Sequence, residues 1–231
     1  MTLDYSTFDA LTFDCYGTLI DWEAGILAAL KPMLPSDAGT NDEELLVEYA
    51  NVEATLEAGP YLSYRELLGH GLAVVARAHE GDPGEAAIER AGGSVVDWPA
   101  FPDSADALAR LAARYGLGVI TNCDDDLFAA SSRRLGDPFR WVITAQQVRS
   151  YKPAARNFEI ALERIGVPRE RVLHVAQSLY HDHVTAHQLG LATAWVNRRA
   201  GREGGGATPA AIATPDLEVP NMASLADLAG V

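Results

Sequence analysis

Short apolar runs alternate with stretches of helical periodicity along much of the chain. The runs are rich in β-branched or aromatic residues and are flanked by loop-forming residues, a pattern typical of buried strands. The predicted strands are Leu11–Phe13, Leu117–Thr121, Trp141–Thr144, Val172–Ala176 and Ala192–Val196. The helices predicted between them are Ser104–Tyr115, Leu127–Leu135, Ala154–Ile165 and His183–Leu189. Such alternation predicts an α/β fold with a doubly wound, mainly parallel, Rossmann-like core sheet.

The stretch that follows the first strand has a different pattern. Apolar residues recur there at helical spacing, between breaks that contain proline or glycine. The helices predicted in this stretch are Glu23–Leu30, Asp42–Glu57, Tyr64–His79 and Glu85–Ala91. We therefore expect a core of residues 1–20 and 98–231, with residues 21–97 inserted after the first strand as an all-helical cap. The glycine-rich segment Arg202–Pro209 predicts a mobile surface loop.

Composition narrows the classes of partner. The 231 residues carry a formal net charge of −14, which argues against nucleic acid because phosphate backbones attract basic surfaces. No apolar run approaches the roughly 20 residues that cross a bilayer, and the first residues lack the basic and apolar parts of a signal peptide. Two cysteines do not make a disulfide framework. The sequence thus predicts a cytoplasmic protein, without membrane or nucleic-acid partners, that acts on a small molecule.

The residues that come directly after the predicted strands carry the candidate chemistry. Ligands of an open parallel sheet bind beyond the carboxyl ends of its strands, so these residues converge. A strand-end carboxylate beside a lysine can act as a nucleophile on carbon or phosphorus, because the ammonium holds it ionised. Hydroxyl and amide groups can donate hydrogen bonds where charge develops. The residues of these types are Asp14, Thr18, Thr121, Asn122, Lys152, Ser178 and Asp182.

Four motifs in this order resemble those of the haloacid dehalogenase superfamily. They are Asp14-Cys-Tyr-Gly-Thr-Leu19, Thr121-Asn122, Tyr151-Lys152-Pro153 and the segment from Ser178 to Asp182. The resemblance covers the whole predicted core. It implies a hydrolase with Asp14 as its nucleophile, and a parallel α/β core with a cap inserted after the first motif.

Two positions separate this chain from the phosphatases of that superfamily. Those enzymes carry a second aspartate two residues after the nucleophile and an acidic magnesium ligand near the fourth motif. This chain has Tyr16 and the neutral amide of Gln177 at these positions, and an amide is a poor ligand for a hard cation. Tyr16 is similar to the L-2-haloacid dehalogenase branch, which works without a metal. The resemblance therefore implies no cofactor, with Mg²⁺ required only under the phosphatase alternative.

The dehalogenase branch also implies a substrate and a set of roles. The substrate is a small organic anion, a 2-haloacid, whose α-carbon Asp14 attacks. A water activated near Asp182 and Lys152 then hydrolyses the aspartyl ester. The residues implied to be catalytic are Asp14, Thr18, Lys152 and Asp182, and those implied to bind substrate or halide are Tyr16, Thr121, Asn122 and Ser178. Arg65, which the resemblance does not supply, is a further candidate for substrate binding.

The match to the dehalogenase branch has gaps. That branch supplies an arginine from its early cap helices for the halide, whereas this chain has Glu48 near that position. Arg65 is the nearest alternative cation. Phe158 replaces a tyrosine six residues past the motif lysine, and Gln177 and Leu179 replace small polar groups. The substrate can therefore differ from a short haloacid.

Three functions stay open on the sequence alone: a metal-independent hydrolase of carbon–halogen bonds, a magnesium-dependent phosphatase, and a catalytically silent binding protein. Halide release from 2-chloropropionate that survives EDTA would favour the first function. Magnesium-dependent hydrolysis of an aryl phosphate would favour the second. Loss of turnover in a folded Asp14→Asn variant would exclude the third. The oligomeric state is open as well, with a homodimer through an apolar helix face as one arrangement.

Overall fold

A computed structural model describes residues 3–202 and 206–231 of the chain. The strands of this described part are β1 (Ala10–Phe13), β2 (Gly116–Thr121), β3 (Trp141–Thr144), β4 (Val172–Ala176), β5 (Ala192–Val196) and β6 (Leu217–Val219). The helices are α1 (Trp22–Leu30), α2 (Asp42–Glu57), α3 (Tyr64–Ala78), α4 (Glu85–Gly93), α5 (Ser104–Ala112), α6 (Asp125–Arg134), α7 (Ala145–Val148), α8 (Ala155–Ile165), α9 (Val184–Gln188) and α10 (Met222–Leu228). Of the predicted loop Arg202–Pro209, residues 203–205 lie outside the described residues.

Strand β1 lies at the centre of a parallel sheet. The strand order is β3-β2-β1-β4-β5-β6, with Leu11 opposite Leu117 of β2 and Leu173 of β4. All four residues of β1 are buried, because helices cover both faces of such a sheet. The strand order reverses between β1 and β4, so the crevice at their carboxyl ends is the ligand site expected for this class. The predicted doubly wound α/β fold is confirmed.

The pattern of apolar residues predicts five of the six strands in the described part of the chain. All five predicted strands form, with bounds that agree to within one residue. The sequence pattern does not predict β6 or α10, because a three-residue strand is too short for a recognisable alternation. Strand β6 forms by pairing with β5. Directly after β5, the Asn197 N–H donates a further hydrogen bond to the Val219 carbonyl oxygen of β6 at 2.8 Å.

Two apolar clusters cover the opposite faces of the sheet. The smaller cluster contains Ile120, Ile143 and Phe158, and lies under α8. The larger cluster contains Leu11 and Phe13 and continues into the buried faces of α1, α2 and α3. Because one cluster is shared, burial of the inserted helices and burial of the sheet stabilise each other.

Helices α1–α4 fall between β1 and α5, and residues 21–97 contain no strand. Ser63 begins α3 with a capping box, in which Glu66 reaches back to the Ser63 N–H. Asp124, in the loop after β2, binds the same helix end: its carboxylate accepts hydrogen bonds from the Tyr64 and Arg65 N–H groups, both at 2.9 Å. The inserted helices are thereby tied to the sheet at a point close to the strand ends.

The division of the chain into a core and a cap stays a prediction, with boundaries at residues 20–21 and 97–98. No helix that the structure describes combines the length and the apolar character that a membrane crossing requires.

Candidate active site

A small cavity lies at the carboxyl ends of β1, β2 and β4. Its volume of about 20 Å³ is room for about one water molecule. Residues of α1, α2 and α3 line it from the side opposite the strand ends. The lining residues are Asp14, Tyr16, Trp22, Glu53, Glu57, Tyr64, Asn122, Lys152, Ser178, His181 and Asp182. The structure thus brings together most of the site residues that the sequence predicts.

Asp14 follows β1 directly and stays in register with β4, because its N–H donates to the Val175 carbonyl oxygen at 3.0 Å. Each carboxylate oxygen has one donor. Lys152 Nζ lies 2.8 Å from Oδ1, and the Thr18 hydroxyl donates to Oδ2 at 2.6 Å. Thr18 in turn accepts a hydrogen bond from the Gln177 N–H at 2.8 Å. These contacts fix the orientation of the carboxylate at the edge of the cavity.

The turn that brings Thr18 back to Asp14 depends on Gly17. The φ angle of Gly17 is +92°, which L side chains rarely adopt. A Cβ atom at this position would lie 3.1 Å from Trp22 Nε1 and 3.3 Å from Gln177 Oε1. A larger residue would therefore strain the loop that holds the candidate nucleophile.

Lys152 joins two aspartates. Its Nζ atom lies 2.8 Å from Asp14 Oδ1 and 2.7 Å from Asp182 Oδ1, and the residue is only 1% exposed. His174, on β4, contacts the same Asp182 oxygen through Nε2 at 3.0 Å and Thr12 through Nδ1 at 2.9 Å. Asp182 Oδ2 is buried and has no hydrogen-bond partner among the described residues. That oxygen keeps an unused capacity to accept a hydrogen bond.

Burial and charge together set the ionisation of these three groups. Burial disfavours the ammonium of Lys152, but the charges of Asp14 and Asp182 outweigh it and raise the Lys152 pKa. Burial also disfavours ionised Asp182, yet Lys152 and the hydrogen bond from His174 hold the Asp182 pKa below its usual range. Burial raises the pKa of Asp14, against the opposing field of Lys152. The lysine therefore stays protonated at neutral pH beside a carboxylate that is unusually basic.

The Asn122 side chain is hydrogen-bonded to the backbone of Lys152. Its Oδ1 accepts a hydrogen bond from the Lys152 N–H at 2.7 Å, and its Nδ2 donates to the Lys152 carbonyl oxygen at 3.1 Å. Nδ2 also donates to Glu57 Oε1 at 2.8 Å. Asn122 thus positions the lysine, and any contact with a leaving halide would have to replace the bond to Glu57.

The other predicted binding residues differ in their positions. Tyr16 lines the cavity with its ring, while its hydroxyl lies 3.0 Å from Ser131 Oγ. Ser178 also lines the cavity, and its Oγ lies 3.1 Å from His181 Nδ1. Thr121 is buried at the end of β2, and within the described part of the chain its hydroxyl has no hydrogen-bond partner. It is not among the residues that line the cavity.

Arg65, which the sequence predicts to bind substrate, is not among the residues that line the cavity. Its guanidinium pairs with Asp126 at 2.6 Å, and the side chain is 40% exposed. The physical reason is helical geometry: Tyr64 takes the cavity-lining position, and the next residue projects about 100° further around the helix. Glu48, near the position of the expected arginine, also points elsewhere, since its carboxylate pairs with His79 at 2.7 Å.

Several residues of the site are not predicted from the sequence. Glu53 and Glu57 lie one turn apart on α2 and line the cavity together with His181. His181 Nε2 lies 3.2 Å from Glu57 Oε2, and the charge of Glu57 outweighs burial to raise the His181 pKa. A signal for Glu53 exists in the helical pattern, because it falls one turn after Tyr49 on the buried face of α2. His174 shows the corresponding signal in a strand, as a polar residue within a fully buried run.

The side chains near Asp14 do not fit a divalent cation. Within residues 3–202 and 206–231, no group of three or more His, Cys, Asp or Glu side chains is placed to hold a metal ion. The amide oxygen of Gln177 accepts a hydrogen bond from Thr208 at 3.3 Å. The ammonium of Lys152 already lies between the Asp14 and Asp182 carboxylates. We therefore derive no step through a metal.

Comparison with known proteins gives consistent matches over most of the chain. A family model described as haloacid dehalogenase-like hydrolase matches residues 8–182. The chain is 26% identical to haloacetate dehalogenase H-2 of Moraxella sp. (strain B) over 96% of its own length and 98% of the relative. It is 25% identical to an (S)-2-haloacid dehalogenase of Pseudomonas putida over 83% of its length and 85% of the relative. The L-2-haloacid dehalogenase of Xanthobacter autotrophicus has a similar structure, with a TM-score of 0.79 at 22% identity over 96% of this chain and 98% of that one.

Proposed function

Because the chain belongs to the haloacid dehalogenase-like hydrolase family, we propose that it hydrolyses carbon–halogen bonds through a covalent ester on Asp14. One observation carries this proposal: Lys152 Nζ lies within 2.8 Å of Asp14 Oδ1 and within 2.7 Å of Asp182 Oδ1. A nucleophile, its cation and a second carboxylate therefore meet at one point. The relatives are named for (S)-2-haloacids and for haloacetate, which supports a small substrate whose halogen lies on the carbon next to a carboxyl-type carbon.

In the first step, an oxygen of Asp14 attacks the carbon that bears the halogen. The new carbon–oxygen bond forms as the carbon–halogen bond breaks, and the halide leaves with the bonding electron pair. Thr18 and Lys152 hold the carboxylate in place during this attack, since each binds one of its oxygens. Fixed geometry of this kind lowers the entropic part of the barrier.

In the second step, water hydrolyses the ester. The water oxygen attacks Asp14 Cγ, and the product alcohol leaves with the oxygen that came from Asp14. Asp182 Oδ2, which has no hydrogen-bond partner among the described residues, accepts the hydrogen bond of the attacking water once the cavity has opened to admit substrate. The ammonium of Lys152 stabilises the negative charge that develops on the former carboxylate oxygens. The balance is one water consumed, with one proton and one halide released.

The remaining lining residues define the space for the substrate. Tyr16, Trp22 and Tyr64 supply aromatic walls, and Asn122 and Ser178 complete the polar side. The cavity holds about one water, so substrate entry requires displacement of lining side chains. We propose that the inserted helices of residues 21–97 act as a cap that moves to admit substrate.

The test is a single turnover with excess enzyme in oxygen-18 water, followed by mass spectrometry of the peptide that contains Asp14. We expect halide release from (S)-2-chloropropionate or its amide, unaffected by EDTA, with one oxygen-18 atom in the Asp14 carboxylate. Direct attack of water on the carbon would instead place the label in the product and contradict the ester.

Asp14→Asn should abolish halide release, while Asp106→Asn serves as the matched control. Asp106 is an exposed carboxylate on α5, so its variant should keep full activity. Hydrolysis of an aryl phosphate that requires added magnesium, without halide release from either chloro compound, would favour the phosphatase alternative.

A further inference from the structure

We propose that the cavity selects a substrate whose group beside the reacting carbon is a neutral carboxamide, and that it rejects the carboxylate of a 2-haloacid. This inference rests on the proposed function and narrows its substrate class. The residues that carry it are Glu53 and Glu57 of α2, which line the cavity.

Carboxyl groups outnumber cationic side chains around the cavity. Four carboxyl groups line it, on Asp14, Asp182, Glu53 and Glu57. Their counterparts are one lysine and one histidine. A substrate carboxylate would add a further negative charge to a buried site, where the loss of its hydration is unfavourable unless a cation compensates it.

Both cations that line the cavity are already paired. Lys152 is held between Asp14 and Asp182, and His181 lies 3.2 Å from Glu57. No arginine is among the residues that line the cavity. In the described part of the chain, an incoming carboxylate therefore meets no cavity-lining cation without a partner.

The two glutamates offer a carboxamide what it requires. Glu53 Oε1 accepts hydrogen bonds from the Tyr49 and Tyr64 hydroxyls, at 2.9 and 3.2 Å. Burial and the neighbouring charge of Glu57 raise the Glu53 pKa to about 8. At neutral pH Glu53 thus carries a proton that it can donate to a carbonyl oxygen, while the side-chain oxygens of Glu57 can accept a hydrogen bond from an N–H group. A carboxamide has one such acceptor and two such donors, whereas a carboxylate has only acceptors.

Two neighbouring side chains fix the orientation of the Glu57 side chain in the cavity. Asn122 donates to its Oε1 at 2.8 Å, and His181 contacts its Oε2 at 3.2 Å. The side chain is 5% exposed, so its charge is weakly screened by solvent. Any group beside the reacting carbon would be within the field of this charge.

The experiment compares (S)-2-chloropropionamide with (S)-2-chloropropionate. The two compounds have nearly the same shape, but the amide carries an NH₂ group where the acid carries an O⁻ atom. We expect kcat/KM for halide release at pH 7 to be at least tenfold higher for the amide. Glu57→Gln removes the charge and keeps the side-chain length, and should lower the amide-to-acid ratio at least tenfold. The rate of halide release by the Asp14→Asn variant is subtracted from each measured rate, because halide released without Asp14 comes from reaction of the substrate at other groups.

Glu48→Gln is the matched control, since Glu48 lies on the same helix but pairs with His79. Its amide-to-acid ratio should equal that of the unaltered protein. A higher kcat/KM for the acid in the unaltered protein, or an unchanged ratio in folded Glu57→Gln, would overturn the inference.

The labelling of Asp14 separates this inference from the proposed function. If the acid leads to oxygen-18 in Asp14 and the amide does not react, the ester mechanism is supported and the proposed selection of a carboxamide is rejected. If neither compound releases halide, the dehalogenase proposal fails, and selection is judged from calorimetric binding of propionamide and propionate to the unaltered protein. Tighter binding of propionamide would support the selection, and equal or tighter binding of propionate would reject it.

Discussion

At the scale of single residues, the ionisation of one lysine governs the candidate site. Lys152 Nζ is the shared donor to Asp14 Oδ1 and Asp182 Oδ1. Burial alone would favour neutral forms of all three groups, because separate charges are costly in an apolar interior. The short contacts offset this cost, and they do so only while all three partners are present.

Lys152→Met should therefore affect stability and catalysis by separate routes. Loss of the cation leaves two buried carboxylates facing each other, and we expect the free energy of unfolding to fall by about 3–5 kcal/mol. Halide release should fall by about a thousandfold or more, since the nucleophile loses its cation. Urea unfolding and steady-state turnover measure the two effects.

The double variant Lys152→Met/Asp182→Asn distinguishes these routes. It removes one of the unpaired carboxylates, so it should recover most of the lost stability while turnover stays absent. Recovery of turnover together with stability would mean that Lys152 has only a structural role.

At the scale of elements, α2 combines packing with site chemistry. Its buried face carries Leu45, Leu46 and Tyr49, and Glu53 continues the same face toward the cavity. Tyr49 and Tyr64 satisfy one oxygen of Glu53 by hydrogen bonds. A titratable group on the apolar face of a helix makes the stability of that helix contact dependent on pH.

Glu53→Gln should change the pH dependence of stability. The folded protein binds the Glu53 proton up to a pKa of about 8, whereas the unfolded chain loses it near the usual glutamate pKa of 4.5. Stability falls as pH rises through this window, because the folded state there holds more protons than the unfolded state. The variant, which keeps an acceptor for both tyrosines, should be more stable by roughly 2–4 kcal/mol at pH 9 and nearly unchanged at pH 5.

Urea unfolding at pH 5, 7 and 9 measures this difference. The control is Glu44→Gln, at an exposed position of α2, which should show no such trend. A stability difference between Glu53→Gln and the unaltered protein that is constant over this range would contradict the raised pKa.

At the scale of the whole molecule, the segment after β5 holds the inserted helices against the sheet. Arg199 contacts Glu23 of α1 and Glu43 of α2, with nitrogen–oxygen distances of 2.7 to 2.8 Å. The Arg199 side chain is 10% exposed. Bidentate hydrogen bonds between a guanidinium and a carboxylate at a largely buried position are stronger than ordinary surface ion pairs.

Arg199→Ala should therefore lower the free energy of unfolding by about 2 kcal/mol, because two partly buried carboxylates lose their common partner. Arg202→Ala is the matched control: its guanidinium is 3.8 Å from Glu23, and its side chain is 67% exposed. We expect a change below about 0.5 kcal/mol there. Urea unfolding of both variants checks the difference, and equal losses would contradict this account of Arg199.

The amino-acid pattern alone predicts the sheet and the polar residues at its strand ends. Apolar runs such as Val172–Ala176 can be buried only as strands or short helices, and their length and β-branched content favoured strands. A parallel sheet then directs every strand end to one edge. Asp14, Lys152 and Asp182 were predictable for this reason, because their convergence follows from chain order and motif alone.

The side chains that face these residues are not predictable from the amino-acid pattern. The rotation of α2 about its axis places Glu53 and Glu57 over the strand ends, and the rotation of α3 turns Arg65 toward Asp126 and away from them. Helical periodicity shows which residues share a face, but it does not show which neighbouring element that face meets. Packing between distant segments sets that orientation, and with it the charge of the cavity.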